Sequence, residues 1–413
     1  MRKSPLNVIC LATYFKGGDF IRECKERGCN VVLITKEKML NEDWPRESLS
    51  EVFAVPNDAG PPLMIDLVAH ISRKMKPDRI VALEEFDVVT AALIREHFQL
   101  PGLSASIAKG FRDKLAMACS AQDAGLDVPD FVPLINAGDI TSFIERVPPP
   151  WIIKPRSDVS AIGIRKVESA DGVWATFEEM NQRENLRERG SYYLLARFVP
   201  GEVFHVDSVV NNARISFAGT NRYGRPPMQV AHYGGAYVSR TVARGSEDEK
   251  KLLEANRKLV KALQIKKGAT HAEFIKSDAD GKFYFLEIAA RVGGAYIAEV
   301  LEAASGLNLW REWARIELTD DGPAQKKVGK QTPAGKPSRK EYAGIVLSLA
   351  KQEQPDTSAY DDPEIVYRVK KRHHAGLIVR SAKLERVEEL LDQYAERFAD
   401  DFVAVVPPLE KAE

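Results

Sequence analysis

The stretch whose reading decides the fold runs from Gly268 to Gly294, GATHAEFIKSDADGKFYFLEIAARVGG. It reads as a β-hairpin around Ala279-Asp280-Gly281, because a glycine at the third loop position can take the left-handed conformation that a three-residue loop needs. With the hairpin centred on Asp280, Glu273 faces Glu287, His271 faces Ala289 and Ile275 faces Phe285. Side chains alternate along a strand, so His271, Glu273, Glu287, Ala289 and Arg291 share one face. Two carboxylates directly opposite each other lie about 5 Å apart at Cβ and repel unless something positive sits between them. A hard divalent cation answers that repulsion. Mg²⁺ completes its shell with water and phosphate oxygens, so the hairpin points to a nucleotide as well as a metal. A solvated face neutralised by neighbouring Lys or Arg accounts for the same pair, and the hairpin alone leaves both readings open.

Composition narrows the class. A chain of 413 residues is long enough for two or three domains with their own cores. Lys plus Arg number 59 and Asp plus Glu 59, a balance that argues against a nucleic-acid or membrane-surface partner, although a local patch stays open. Cys10, Cys24, Cys29 and Cys119 form no CxxC and accompany no His cluster at zinc spacing, so a reducing, cytoplasmic setting is expected. The start, MRKSPLNVICLATYFKGG, has a basic tip and a short apolar run, but Lys16, the glycine pair and the lack of a small-residue cleavage site favour a first buried strand over a signal peptide. No apolar run approaches the roughly 18 residues that would suggest a membrane span.

The first hundred residues alternate strand and helix: Val8 to Ala12, a helix from Gly17-Gly18 to Arg27, Val31 to Ile34, a helix from Leu63 to Met75, Arg79 to Leu83, and a helix from Val88 to Phe98. This pattern predicts an open, doubly wound parallel sheet. It lacks GxGxxG after the first strand, which excludes a dinucleotide fingerprint. Glu84, Glu85 and Asp87 follow a strand's carboxyl end, where open sheets bind ligands. They suit a substrate amino group and equally suit the acidic start of a helix.

Lys114 lies on a helix from Phe111 to before Gly125. Trp151-Ile152-Ile153-Lys154-Pro155 is a strand with one lysine among apolar neighbours, and a lysine so placed needs an anionic partner. The polar loop Arg156 to Gly163 follows, containing Ser157 and Ser160, and then the strand Ile164 to Val167; hydroxyls and amides at such a tip can fold over phosphates. Ser191 to Arg197 is a strand ending in Phe198-Val199-Pro200-Gly201, and Glu202 to Val210 alternates with His205 and Asp207 on one side. Thr220 to Arg244, with Arg222, Arg225, His232 and Arg240, reads as a polar loop, either a substrate loop that grips a carboxylate or a solvated one. A helix from Glu247 to Leu263 leads into the hairpin, and a second spans Glu299 to Glu317. Gly322 to Lys340 is Lys-, Gly- and Pro-rich and reads as a linker. Strands at Gly344 to Leu349, Ile365 to Val369, Leu377 to Arg380 and Phe402 to Val406, with a helix from Leu384 to Phe398, make a small α+β module. His373-His374 reads as a loop pair, because other metal ligands are scarce.

In order, a lysine on a helix, Lys154-Pro155 with a polar loop, a strand ending Phe-Val-Pro-Gly-Glu, Glu273, and Glu287-x-x-x-Arg291-x-Gly293-Gly294 resemble the ATP-grasp superfamily over about Leu6 to Leu318, and most resemble its L-amino-acid ligase and carnosine-synthase-like branch. The resemblance implies an α/β and α+β chain: an N-terminal pre-ATP-grasp domain (1–108), an ATP-grasp domain (109–322) with a flap lobe at about 130–196 and a metal-bearing lobe at about 197–322, a linker (323–341) and a C-terminal module (342–413). It implies ATP and Mg²⁺ or Mn²⁺ as cofactors. By position, Lys114 and Lys154 match lysines on ATP phosphates, with Ser157, Ser160 and Gly163 in the flap. Arg197, Phe198 and Val199 match the adenine hinge, and Glu202 or His205 the ribose. Glu273 and Glu287 match metal ligands, and Arg291 the arginine that stabilises charge during transfer. Glu84, Arg222, Arg225, His232 and His271 are the expected substrate residues.

Two departures stand out: Ala196 replaces an acid often found at the hinge, and Ala289 an asparagine ligand. His271, opposite Ala289, is expected to fill that space and touch a phosphate or substrate oxygen. The implied activity is ADP-forming ligation of a small-molecule carboxylate to an amine through an acylphosphate. Bicarbonate activation of the carboxylase kind, and a nucleotide-binding regulator without turnover, are the alternatives. A homodimer is expected by analogy alone.

Overall fold

The computed structural model describes residues 5–158, 163–228, 230, 234–319 and 337–404. The first sheet contains β1 (Asn7–Leu11), β2 (Asn30–Lys36), β3 (Glu51–Val55) and β4 (Arg79–Ala82), all parallel and ordered β3-β2-β1-β4. Its inner strands are near-continuous apolar runs because helices cover both faces. Ile9 and Leu11 pack one way, against the helices over 61–72 and 88–97, while Val8 and Cys10 pack the other, against helix 18–26. The sequence pattern did not suggest β3, an edge strand whose residues are mostly partly exposed.

A second sheet is formed by β5 (Phe131–Pro133), β6 (Trp151–Pro155), β7 (Arg165–Val167) and β8 (Tyr193–Arg197), ordered β5-β8-β6-β7 around a core that includes Trp151, Ile153 and Leu195. The third sheet is antiparallel and holds the remaining strands: β9 (Gly201–Asn211), β10 (Arg214–Tyr223), β11 (Tyr237–Thr241), β12 (Lys267–Ser277), β13 (Phe283–Ala289), β14 (Tyr342–Leu349), β15 (Ile365–Arg368) and β16 (His374–Ser381). Their order is β13-β12-β9-β10-β11-β14-β16-β15. Residues 342–381 therefore continue the same sheet through the β11–β14 pairing.

The hairpin forms with Gly281 at φ +67, but its loop, Asp278 to Gly281, is one residue longer than expected, Ser277 N–H donating across it to the Lys282 carbonyl; Glu273 still lies opposite Glu287 and His271 opposite Ala289. A bulge after Glu273 then shifts the register, so that Ile275 pairs with Tyr284 and not with Phe285. The extra residue is absorbed on β13 between Phe285 and Glu287, which is how a bulge alters one end of a ladder without disturbing the other.

Two further expectations are corrected. Thr220 to Arg244 is not simply a loop: it opens in β10 and includes β11. The inward-facing residues there are polar, with Thr220, Asn221, Ser239 and Thr241 all buried, which hides the apolar alternation that announces a strand. The single helix over Glu299 to Glu317 is two, Ile297–Ser305 and Leu309–Glu317. Gly306 ends the first at φ +78 and the Asn308 side chain caps the second. The last strand reduces to a bridge from Val403 to Ala350, and residues 405–406 lie outside the described ones.

Candidate active site

The site's floor is one face of five adjacent strands, β13-β12-β9-β10-β11. Because β12 is antiparallel to both neighbours, Glu273 lies between Glu287 on β13 and His205 on β9, and His271 lies between Ala289 and Asp207. Imidazoles and carboxylates thus alternate across β9 and β12. Asp207 is fully buried and holds both imidazoles: Oδ2 lies 2.6 Å from His205 Nδ1 and Oδ1 lies 2.8 Å from His271 Nδ1. His205 Nε2 lies 2.8 Å from Ser239 Oγ, and His271 Nε2 lies 3.2 Å from Glu273 Oε1. The Tyr223 hydroxyl donates to that same Oε1 at 2.6 Å. Among the described residues Glu273 Oε2 accepts no hydrogen bond, so one carboxylate edge is left open.

Charge follows from these contacts. Burial alone would lower the His271 pKa, but Asp207 and Glu273 outweigh it and push the imidazole up to about 10. Burial alone would raise the Glu273 carboxyl, yet the His271 and Tyr223 hydrogen bonds hold it below the usual carboxylate range.

The roof comes from the helix Lys114–Asp123 and from β6. The helix starts at Lys114, not Phe111, because the Asp113 side chain caps it through Leu115 N–H. Lys114 Nζ lies 3.0 Å from Glu287 Oε2 and donates to the Asp158 carbonyl at 2.5 Å. The Lys154 ammonium is pushed down to about 8 by burial and by Lys114, against the pull of Glu287 and Glu273. Asp113 grips Arg156 at both oxygens, at 3.0 and 2.5 Å, and Lys114 N–H donates to the Arg156 carbonyl at 2.7 Å. The residue that follows β6 is therefore fastened to the helix that carries Lys114.

The side wall is supplied by the first sheet. Arg291 donates from Nε and Nη2 to Glu85 Oε2 at 3.1 and 2.7 Å, while Arg112 donates to Glu85 Oε1 at 2.5 Å. Lys16 Nζ lies 2.6 Å from Glu84 Oε2, and Asp87 accepts from Thr13 N–H at 2.7 Å. All three acids after β4 already have partners.

Residues 147–299 hold Lys154, both opposed glutamates and Arg291. That segment matches an ATP-grasp domain. It is 24% identical over 260 residues to an L-arginine-specific L-amino acid ligase of Bacillus subtilis, an alignment covering 63% of this chain and 62% of that protein. A D-alanine–D-alanine ligase of Neisseria gonorrhoeae is 24% identical over 190 residues, covering 43% of this chain and 56% of the ligase. The chain thus spans roughly three-fifths of the length of the curated relatives it matches. The crystal structure of an L-amino acid ligase from Bacillus licheniformis superposes with a TM-score of 0.72 at 16% identity, covering 98% of this chain and 99% of that one. At that identity the superposition establishes the fold.

Within the ATP-grasp domain and its flanks, Lys114, Lys154, Glu273, Glu287 and Arg291 converge. Arg197 and Phe198 direct their N–H groups to the carbonyls of Asp130 and Pro150, and among the described residues Val199 N–H makes no hydrogen bond. Ser157 is exposed, its carbonyl accepting from Arg112, and Gly163 adopts φ +69. Ser160 and His232 lie outside the described residues.

Other expectations need correction. His205 is fully buried and bound at both nitrogens, which keeps it from a ribose. His271 likewise has both nitrogens on carboxylates, so it orients Glu273 and does not reach for a phosphate. Glu84 is 3% exposed and paired with Lys16, closed to a substrate amine in this conformation. Arg222 sits on β10 paired with Glu202 at 2.6 Å, so both are committed to each other, and Arg225 is exposed on the loop that follows.

Sequence reasoning missed Tyr223, Arg112 and Lys16 and gave Glu85 no arginine partner. For Arg112 and Lys16 the only signal was charge adjacent to a strand or helix end, and Tyr223 gave none. A cavity of about 240 Å³ lies elsewhere, among residues 101–104, helix 88–97 and the start of β12, and none of the site residues lines it.

Proposed function

We propose that the protein is an ATP-dependent, ADP-forming ligase joining a small-molecule carboxylate to an amine. The observation that carries this reading is the pair Glu273 and Glu287, opposed on adjacent strands with one open edge, beneath the ammonium groups of Lys114 and Lys154. Those two acids fit Mg²⁺ or Mn²⁺, which they would hold there to neutralise phosphate charge. Lys114 and Lys154 bind the phosphates, the segment between Ser157 and Gly163 serves them as a flap, and the hinge at Arg197, Phe198 and Val199 receives the adenine. In this reading a first domain ends at about residue 108, the ATP-grasp domain runs on to about residue 322 with its large sheet extended by residues 342–381, and the protein is cytoplasmic and homodimeric.

A substrate carboxylate oxygen attacks the γ-phosphorus as the bond to the bridging oxygen of ADP breaks, giving an acylphosphate. The amine nitrogen then attacks the acyl carbon, the C–O pair leaves with phosphate, and the amine's proton passes to phosphate or solvent. Arg291 and the two lysines stabilise the negative charge that develops on transfer, the role in which fixed electrostatics contribute most. Flap closure would keep water from the acylphosphate. The names of the matched relatives point to amino acids as the substrate class.

Hydroxylamine trapping tests the reading. With ATP, a divalent metal and a panel of amino acids, hydroxamate should form in step with ADP release. ADP release that is independent of any added acid, or that needs bicarbonate, would overturn it.

A further inference from the structure

Glu273 is aimed by a buried chain of side chains whose last member never approaches the substrates. We propose that Asp207 is a positioning residue for metal binding: through His271, and together with Tyr223, it turns Glu273 so that Oε2 alone faces the cation. This inference rests on the ligase reading only in taking Glu273 as a metal ligand.

Three observations carry it. Glu273 has two oxygens of unequal fate, since Oε1 is contacted by both Tyr223 and His271 while Oε2 accepts no hydrogen bond among the described residues. A glutamate on a strand otherwise swings freely about its side-chain torsions, so two contacts on one oxygen select one orientation.

Next, His271 can hold Glu273 only because Asp207 holds His271. The 2.8 Å contact at Nδ1 fixes the ring's rotation, and the cross-strand register places His271 directly opposite Asp207. Asp207 is in turn fixed by His205, which Ser239 anchors at its far nitrogen. The chain therefore runs from β11 through β9 and β12 to Glu273, reaching past β10 at the Ser239–His205 contact and otherwise linking neighbouring strands or residues of one strand.

The third observation is that the same pair supports the segment after Arg291. A Cβ at Gly293 would lie 2.9 Å from Asp207 Oδ1 and 3.0 Å from His271 Nδ1. Backbone at Gly293 thus rests directly on the Asp207–His271 contact, and only glycine allows that approach. One buried pair positions a carboxylate on one side and the path of the Arg291 loop on the other. The neighbouring Ala289 offers no oxygen, so the directed glutamate carries more of the site's selectivity than it would beside a third ligand.

The test is Mn²⁺ affinity, read by electron paramagnetic resonance on the full chain with a non-hydrolysable ATP analogue present. Asp207→Asn should weaken Mn²⁺ binding about 10- to 100-fold, the range typical of groups that orient a ligand. Tyr223→Phe, which removes one contact without emptying the site, should weaken it less. His271→Gln, whose amide can still span Asp207 and Glu273, should retain more affinity than His271→Leu.

Metal-free binding of the analogue should be unchanged in each, a result that general unfolding would not give. If Asp207→Asn fails to fold, the Tyr223 and His271 variants decide. Unchanged Mn²⁺ affinity in Tyr223→Phe, with His271→Gln and His271→Leu indistinguishable, would overturn the proposal. Glu273→Gln separates the two readings. Should it lose Mn²⁺ while the other variants keep it, the positioning chain fails alone; should it keep Mn²⁺, the metal assignment fails first.

Discussion

Glu85 joins the first sheet to the ATP-grasp domain, and replacing it with glutamine tests whether that junction is electrostatic. The side chain is 7% exposed and contacts Arg291 twice and Arg112 once. Burial alone would raise its pKa, but Arg291, Arg112 and Lys114 bring it from 4.5 down to about 2. At about 1.4 kcal/mol per unit, this shift corresponds to roughly 3 kcal/mol. That agrees with the cost of about 3–5 kcal/mol for breaking one partner out of a buried pair. Because the folded-state pKa is depressed, the contribution is complete above the unfolded value of 4.5 and is lost as pH falls towards 2.

For a chain of 413 residues the unfolding entropy is about 0.9 kcal/mol/K, so Glu85→Gln should lower the melting temperature at pH 7 by about 3–4 °C. At pH 3 only about 1.4 kcal/mol of the term remains, and the difference between variant and parent should fall to less than half. Differential scanning calorimetry at both pH values measures this. A variant that melts within 1 °C of the parent at pH 7, or a gap that does not narrow at pH 3, would refute the reasoning.

Other outcomes follow from single contacts. Competitive acetylation of Lys154 should give a titration near pH 8, well below that of a surface lysine, and bound nucleotide should protect the amine; labelling above pH 10 alone would contradict the site's charge balance. Gly201→Ala should prevent folding to a soluble protein, since the new Cβ would stand 2.0 Å from the Lys276 carbonyl oxygen, a backbone atom with nowhere to move; an expression and gel-filtration comparison decides it. Asp87→Asn should raise stability more at pH 8 than at pH 5. Burial, and to a lesser degree the charge of Glu84, push the Asp87 carboxyl up to about 7 in spite of the Thr13 hydrogen bond, so ionisation weighs against the folded state as pH climbs from 3.8 to 7. Equal melting shifts at the two pH values would count against a carboxyl so perturbed.

The hairpin shows how far local chemistry reaches. A glycine in the turn and a period of two along each strand put Glu273 and Glu287 on one face, but the loop is one residue longer than the three expected, and the two acids stand opposite only because the bulge after Glu273 offsets that residue. The order of lysines and glycines around them was enough for the family resemblance. The bulge after Glu273 was not legible, because it trades one ladder partner for another without changing which residues are apolar. Nor was β10 or β11, where the buried face is polar and binary patterning carries the wrong sign.

Sequence alone determined the elements whose cause lies within a few residues: the hairpin turn at Gly281, the shared face of Glu273 and Glu287, and the apolar strands of the first sheet. Which charges neutralise one another was decided by tertiary structure. Glu85 and Arg291 are more than two hundred residues apart in the chain, as are Glu23 and its partner Arg315, and no periodicity links them. Asp207 and His271 meet only because β9 and β12 are neighbours in the large sheet, a matter of strand order that local propensity does not encode. Ion pairs and cross-strand contacts form between whatever the fold makes adjacent, and at those distances along the chain adjacency is a property of packing.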